Sequence, residues 1–387
     1  MNLRISSVSG LVTALLMLLF SFGAAAQLAV SSNDGKAVLV NGANTVPANP
    51  VDDTITIIDL GVSPPKVVGE LKAPSSVVGP PQNVAVASDE SIALVSANTK
   101  LDPGDPKKTV PDNRVSVIDL KANPPVVIAT LESGLGPAGI SINRAGTLAL
   151  VANRNEGTVS VFTISGKTVT PAGKVNFGNP TSGPSSAAFS PDGKMALVSR
   201  DGDHKISVLT IDGNKVEDTK QPITGGFRPY AIQVSPKGDV AIAGNQGGNA
   251  GDIDTINVID LKGKAPRVVH TLDVGQIVEG LAFSNDGNYV ALTAQDGSAR
   301  APSHPFYNEN GLVVVFRVNG TDLTKVAEAR VGKWNQGVVW SRDGKTLLTQ
   351  SMVDRSLWVL SFDGKNLKVT GEIKVNGGPE GLRTAER

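Results

Sequence analysis

The amino-acid sequence predicts an all-β protein, a seven-bladed β-propeller of four-stranded antiparallel blades. One phrase returns seven times: an apolar strand, a tight hairpin of the Asp-Gly kind, a second apolar strand, a polar loop and a third strand. The hairpin copies lie roughly 45 to 57 residues apart, close to the length of one propeller blade. After the first 26 residues no helical period persists for three turns. Short all-strand repeats cannot bury a face alone, so they stack on one another around a ring.

The third strand is the most regular part of the phrase, and in the first repeat it has the sequence DTITIIDL. Its seven copies are Asp53–Leu60, Asn113–Leu120, Gly157–Ile164, His204–Ile211, Asp254–Leu261, Asn310–Val318 and Arg355–Phe362.

The hairpin between the first two strands recurs in five clear and two degraded copies. Glycine supplies the positive φ that such a tight turn requires. Flanking strands such as Lys194–Ser199 and Asn288–Thr293 are apolar, as expected for strands covered on both faces. The clear copies are Asn33-Asp34-Gly35, Pro191-Asp192-Gly193, Pro236-Lys237-Gly238, Asn285-Asp286-Gly287 and Arg342-Asp343-Gly344, and the degraded ones are Asp89-Glu90 and Ala145-Gly146.

The repeats predict a single propeller domain over residues 27–387. A β-solenoid is the competing architecture, but it needs shorter and more uniform rungs. Ring closure has two solutions, because Leu28–Ser32 and Gly378–Leu382 both have the pattern of an innermost strand. Either the tail adds beside blade 1, or it takes the inner place and displaces the N-terminal strand. The predicted blades cover about 28–74, 75–134, 135–178, 179–226, 227–275, 276–332 and 333–387.

The third blade carries a resemblance to a known family. It begins at Gly136–Ile140, continues through the strand Thr147–Asn153 and passes into Gly157–Ile164. This resembles the YVTN repeat of the seven-bladed YVTN/lactonase-like propellers, with Leu150-Val151-Ala152-Asn153 in the place of Tyr-Val-Thr-Asn. The resemblance covers the whole chain after the leader and implies the fold. It leaves activity open, since that family includes lactone hydrolases, a muconate cycloisomerase branch and exported binding modules.

Residues 1–26 have the features of a cleaved signal peptide. Arg4 supplies positive charge, Leu11–Phe20 is a short apolar core, and Ala24-Ala25-Ala26 precedes Gln27 as the cleavage pattern. The apolar stretch is shorter than the roughly 20 residues that span a bilayer, so a membrane anchor is not expected. The predicted location is periplasmic or secreted, with no membrane span after cleavage.

Composition excludes several classes of function. The chain has no cysteine, so it has no thiolate nucleophile, thiolate-bound metal or c-type haem attachment. Lys+Arg and Asp+Glu are equal at 36 each, and nucleic acid is therefore an unexpected partner. No Gly-x-Ser-x-Gly elbow occurs. We expect no cofactor, no metal site (the Asp201–His204 stretch lacks the spacing of a known loop site) and a monomer.

Long insertions fall almost entirely in the loops between the second and third strands, here called the 2–3 loops. In a four-stranded blade these loops share one face of the ring with the inter-blade loops, which lead into each first strand. Function in such scaffolds tends to lie on variable loops held by rigid strands, which favours a binding surface there. The insertions are Asn44–Asp52, Thr99–Asp112, Gln246–Asp252 and Ser298–Glu309.

The inter-blade loops also predict a polar ring at the channel mouth, one side chain per blade. Carboxylates, arginines and amides in one cleft suit a polar or anionic small molecule. The same groups could instead cap strand ends and order water, as in any propeller. The predicted ligand-binding residues are Gln82, Asn83, Ser185, Tyr230, Gln336, Glu380, Arg154, Arg200 and His204.

Two functions follow from this mouth. The first is an exported, non-catalytic module that binds a protein partner or a small polar ligand on the long-loop face. The alternative is a lactonase-type enzyme that opens or closes a lactone by proton transfer. For that alternative, Glu279 is the candidate base, because flanking Val278 and Leu281 can raise its pKa by desolvation. Arg228 on the preceding blade is the candidate clamp for a carboxylate or oxyanion.

Overall fold

The computed structural model describes residues 27–386 and confirms the predicted fold class, an all-β propeller of seven four-stranded antiparallel blades. The predicted signal peptide, residues 1–26, lies outside the described residues. From the channel outward, blade 1 comprises Gly378–Thr384, Leu28–Asp34, Thr54–Asp59 and Lys66–Lys72; blade 2, Val84–Val86, Ile92–Ser96, Arg114–Asp119 and Val126–Glu132; blade 3, Pro137–Ile142, Leu148–Asn153, Thr158–Ser165 and Thr168–Asn176.

The remaining blades follow the same order. Blade 4 comprises Pro184–Phe189, Met195–Arg200, Lys205–Asp212 and Lys215–Asp218, with Ile223–Thr224 also paired to its third strand; blade 5, Pro229–Val234, Val240–Asn245, Asp254–Asp260 and Arg267–Gly275; blade 6, Val278–Phe283, Tyr289–Ala294, Gly311–Asn319 and Asp322–Val331; blade 7, Asn335–Trp340, Thr346–Ser351, Ser356–Phe362 and Leu367–Lys374. Two small hairpins, Val38–Val40 with Ala43–Thr45 and Thr99–Asp102 with Asp105–Pro111, lie in the 2–3 loops of blades 1 and 2.

Ring closure is made by the C-terminal strand. Gly378–Thr384 is the innermost strand of blade 1 and pairs antiparallel with Leu28–Asp34, which becomes the second strand. The tail therefore takes the inner place. The predicted hairpin at Asn33-Asp34-Gly35 is wrong, because a second strand ends on the mouth face and not at a 1–2 hairpin. Asp34 thus lies with the functional loops.

The core lies between neighbouring blades, where apolar side chains from facing sheets pack together. Trp340 of blade 7 is 2 % exposed and packs edge-on against Phe362, with ring centroids 5.4 Å apart. Its Nε1–H donates to the carbonyl of Ala282 in blade 6 at 2.9 Å. Aromatic packing and this hydrogen bond of the indole N–H thus hold blades 6 and 7 together.

A buried segment, Gly79–Gln82, crosses the central channel and is here called the channel plug. It belongs to the inter-blade loop of blade 2, whose inner strand has only three residues, Val84–Val86. The carbonyl of Pro81 accepts the amide of Leu382 in blade 1 at 3.3 Å. A Cβ on Gly280 of blade 6 would lie 3.2 Å from Pro81, which places the proline against the far wall. The channel is therefore closed just below its mouth.

Within residues 27–386, no helix has the length and apolarity that crossing a membrane requires.

Candidate functional site at the channel mouth

An ion-pair network crosses three blades at the mouth. Arg154 at the end of the second strand of blade 3 donates Nη2–H to Oδ2 of Asp201 in blade 4 at 2.7 Å. Arg228, before the first strand of blade 5, approaches the same oxygen at 3.5 Å and donates to Oε1 of Gln246 at 3.1 Å. These groups come from second-strand ends and an inter-blade loop, so the predicted geometry of one shared face holds for them.

Glu279 lies beneath this network and is 4 % exposed. Burial raises the pKa of its carboxyl to about 8, although the amides of Gln295 and Gln246 and the charges of Arg228 and Arg154 pull the pKa down. Gln295 donates to Oε1 of Glu279 from the next strand of the same blade. The carboxyl is therefore mostly neutral at pH 7, and it stands behind amide side chains.

Tyr230 and Ser185 complete this half of the ring. The Tyr230 ring lies under the guanidinium of Arg154 at 5.4 Å, and burial raises the pKa of its phenol above the ordinary value. Ser185 accepts a hydrogen bond from Nη1 of Arg154 at 2.6 Å. Arg154 is thus held on three sides, by a carboxylate, a hydroxyl and an aromatic face.

The opposite half of the ring contains a second buried carboxyl, Glu380. Burial raises its pKa to about 8, against hydrogen bonds from Ser75, Ser32 and Asn83 that lower it. Asn83 donates Nδ2–H to Oε1 of Glu380 at 3.2 Å. Glu380 is absent from the walls of the two mouth cavities described below.

Lys36 forms a buried cluster beside Glu380 that the sequence did not indicate. Its Nζ donates to Asp34 at 3.2 Å and to Oδ2 of Asp53 at 2.9 Å. Burial lowers the pKa of Lys36, but the two carboxylates outweigh burial and hold the pKa above its usual value. The cluster fixes the start of the 2–3 loop in blade 1.

Of the remaining predicted ligand residues, Gln82, Gln336 and Arg200 are buried, and His204 lies at the rim of the mouth. Gln82 belongs to the channel plug and binds the Ile232 backbone across the channel, accepting its N–H at 3.1 Å and donating to its carbonyl at 3.2 Å. Gln336 is 1 % exposed. Arg200 turns away from the mouth, stacks on Phe177 at 4.7 Å and pairs with Asp203. His204 is exposed at the rim, where Nδ1 accepts the Arg228 amide at 3.3 Å.

A first cavity of about 380 Å³ opens above Gln295. It lies between the loops of blades 1, 5, 6 and 7. The hairpin of blade 1 covers it, since Leu39 packs with Ala299 and Trp334. No Asp or Glu occurs among its wall residues, which are Leu39, Asn41, Gly42, Asn44, Arg228, Gln246, Asn249, Ile277, Gln295, Ala299, Arg300, Ala301, His304 and Trp334.

Arg300 and His304 face each other in this cavity as two hydrogen-bond donors. The Phe306 amide donates to Nδ1 of His304 at 3.2 Å, so a neutral ring carries its proton on Nε2. Nε2 lies 3.2 Å from Nη1 of Arg300, which is also a donor. Among the described residues no carboxylate forms an ion pair with Arg300; its other partners are Gln276 and Asn249. An anion beside this pair would satisfy both donors.

The glycine-rich part of the blade 5 loop contains Asn249, which lines the cavity and accepts hydrogen bonds from Arg300. Gly251 has φ +99°, and a Cβ there would lie 2.0 Å from the Phe306 ring. Only glycine permits this approach. The loops of blades 5 and 6 therefore form one wall.

A second cavity of about 440 Å³ lies on the other side of Arg228. Its charged residues, Arg154, Asp201 and Arg228, belong to the ion-pair network, and Asp201 compensates part of the positive charge. The wall consists of Val78, Asn98, Thr99, Pro111, Arg154, Asn155, Thr181, Gly183, Asp201, Gly202 and Arg228.

Within the described part of the chain, no group of three or more His, Cys, Asp or Glu side chains is arranged to hold a metal ion.

The comparisons with known proteins identify the fold. No family model matches the chain, and no curated protein sequence matches it. The structure resembles the periplasmic gluconolactonase of Pseudomonas aeruginosa, with a TM-score of 0.67 and 18% identity over 92% of this chain and 99% of the other. A candidate 6-phosphogluconolactonase of Bacteroides fragilis gives a TM-score of 0.68 and 15% identity over 93% and 98%. Hydrazine synthase of Kuenenia stuttgartiensis gives 0.61 and 18% over 80% and 90%.

At these identities the likeness shows the propeller fold alone. Lactonase propellers stand among the similar structures, in line with the resemblance found in the sequence. The YVTN repeat as a family assignment stays a prediction.

Proposed function

We propose that the protein binds a small polar anion of the sugar-acid class in the first cavity. The observation that carries this proposal is a wall with Arg228, Arg300 and His304 and no carboxylate. Guanidinium groups bind carboxylates with charge-assisted hydrogen bonds. The amides of Asn41, Asn44, Gln246, Asn249 and Gln295 supply donors and acceptors that match hydroxyl groups.

The name of one similar structure, a periplasmic gluconolactonase, supports the sugar-acid class, since opening a gluconolactone yields gluconate. It also supports export, together with the leader-like first 26 residues. The cavity favours the small-ligand half of the binding hypothesis, because its size falls in the range of about 300–1,000 Å³ that small-molecule sites have. A protein partner on the same face stays a prediction.

Isothermal titration with D-gluconate tests the proposal. Arg300→Gln should weaken binding about tenfold or more, because a hydrogen bond to a charged group contributes roughly 1.5–3 kcal/mol. Arg267→Gln is the matched control, since Arg267 is exposed on the outer strand of blade 5. Absence of gluconate binding, or equal binding by Arg300→Gln, would refute the proposal.

Lactone hydrolysis is the second candidate, and the buried carboxyl of Glu279 is the observation that favours it. Water would add to the lactone carbonyl, the ring C–O bond would break, and a hydroxyl and a carboxylic acid would form. Arg228 lines the cavity and can stabilise the carbonyl oxygen. Glu279 is absent from the cavity wall, and the amides of Gln295 and Gln246, which contact its carboxyl, lie between it and the cavity. For this reason binding ranks first.

A gluconolactone assay over pH separates the two functions. If Glu279 promotes hydrolysis, the rate rises with pH through about 8, because the base must be ionised. Glu279→Gln should abolish that rise, and Arg228→Ala should lower the rate at every pH. No turnover above the uncatalysed rate would eliminate hydrolysis and leave gluconate binding untouched.

A further inference from the structure

Arg228 is the common wall of both mouth cavities. Its Nη2 donates to Gln246 on the side of the first cavity and approaches Asp201 on the side of the second. The side chain is 37 % exposed, so part of the guanidinium stays open to a ligand. A molecule that crosses Arg228 would touch both cavities.

The two cavities differ in charge. The first contains Arg300 and His304 with no carboxylate in its wall, which suits an acidic group. In the second, Asp201 already pairs with Arg154 and Arg228. The other polar groups of its wall are neutral: the hydroxyls of Thr99 and Thr181, which pair with Ser76 and Asn179 and can each accept a further hydrogen bond, and the amides of Asn98 and Asn155. Such a lining suits hydroxyl groups.

The volumes of the two cavities and the closed channel beneath them limit how an elongated ligand can lie. Each cavity by itself, at about 380 and 440 Å³, is large enough for one small molecule. A ligand cannot extend down the channel, because Pro81 and Gln82 close it. An elongated ligand must therefore lie across the mouth, over Arg228.

We infer that the two cavities form one two-lobed site for an acidic disaccharide, whose acidic end lies in the first cavity and whose neutral sugar ring lies in the second. The inference rests on the proposed function and adds to it the length and the orientation of the ligand. It predicts that a sugar acid carrying a neutral second ring binds more tightly than the sugar acid alone.

Isothermal titration of the unaltered protein with D-gluconate, lactobionate and lactose tests this inference. Lactobionate is gluconate that carries a galactose ring, and lactose has two rings without the acidic group. Lactobionate should bind at least about tenfold more tightly than gluconate, the gain that one or two added hydrogen bonds give. Lactose should bind more weakly than lactobionate by a similar factor.

A substitution in the second cavity checks the placement of the neutral ring. Thr181→Trp fills that cavity and should reduce the lactobionate-to-gluconate affinity ratio to about one. Thr168→Trp, on the exposed outer strand of blade 3, is the control and should keep the ratio. Thermal melting verifies that both variants fold.

The outcomes separate the inference from the proposed function. Equal affinity for lactobionate and gluconate in the unaltered protein would overturn the inference and leave the sugar-acid proposal standing. A ratio that Thr181→Trp does not change would also overturn it. If neither gluconate nor lactobionate binds, both the inference and the proposed function are overturned. If lactose binds as tightly as lactobionate, the placement of an acidic group in the first cavity is overturned.

Discussion

Glu279→Gln should raise the free energy of unfolding relative to that of the unaltered protein, and this gain should be larger at pH 8 than at pH 5. In the folded state burial raises the pKa of Glu279 to about 8, whereas its usual value is 4.5. Below pH 4.5 the carboxyl is protonated in both states and contributes no pH dependence. Between pH 4.5 and 8 the unfolded chain releases the proton and the folded protein keeps it. Stability therefore falls as pH rises through this window.

The pKa difference sets the size of this effect. One pKa unit corresponds to about 1.4 kcal/mol, so ionisation of Glu279 in the unfolded state lowers the free energy of unfolding by on the order of 5 kcal/mol at pH 8. Glutamine has no proton to lose, so the penalty disappears. Its amide oxygen can still accept the hydrogen bond from Gln295. Glu380, whose pKa burial also raises to about 8, keeps a comparable pH dependence in the variant.

Urea unfolding at pH 5, 6.5 and 8 measures this effect. The free energy of unfolding of Glu279→Gln, minus that of the unaltered protein, should grow steadily with pH. Glu217→Gln, on an exposed outer strand, is the control and should shift by about 1 kcal/mol or less at each pH. A difference for Glu279→Gln that is the same at pH 5 and pH 8 would refute burial of a neutral carboxyl at the mouth.

Three further predictions concern closure, the plug and the loop wall. Deleting the chain from Gly378 onward should lower the melting temperature and cause association in size-exclusion chromatography, because it exposes the edge of Leu28–Asp34; an unchanged monomer would contradict the closure. Gln82→Ala should destabilise the protein by roughly 2–4 kcal/mol in urea unfolding, since two backbone groups of Ile232 lose their partners; a loss under 0.5 kcal/mol would contradict the plug. Gly251→Ala should weaken gluconate binding and lower the melting temperature, because its Cβ would displace Phe306 and alanine is strained at φ +99°; unchanged affinity would show that the loop wall is not needed.

The blades were predictable because their physical cause is local. A hairpin glycine with positive φ, such as Gly193, and the apolar strands beside it are visible in the sequence and fix the repeat. Ring closure was not predictable, because Leu28–Ser32 and Gly378–Leu382 both have the pattern of an innermost strand, and the first and the second strand of blade 1 are both buried. The error at Asn33-Asp34-Gly35 follows from that ambiguity.

The mouth was predicted in part. Arg154, Arg228, Tyr230 and Ser185 meet there, because they occupy equivalent ends of neighbouring blades. Arg300 was missed, since nothing in its loop sequence indicates that it would face His304.

The channel plug was missed for a different reason. Gln82 occupies the expected ring position, but its contacts cross the channel to blade 5, and sequence spacing carries no information on such a distance. The two adjacent prolines, Pro80 and Pro81, with unusually many residues before Val84, were the available signal.

A crystal structure of the protein soaked with lactobionate tests the central claim most directly. We expect the carboxylate beside Arg300 and His304 and the galactose ring beyond Arg228, next to Thr181. A ligand bound on the opposite face of the ring, or density for lactobionate that avoids Arg300, would contradict the assignment of the mouth as the binding site.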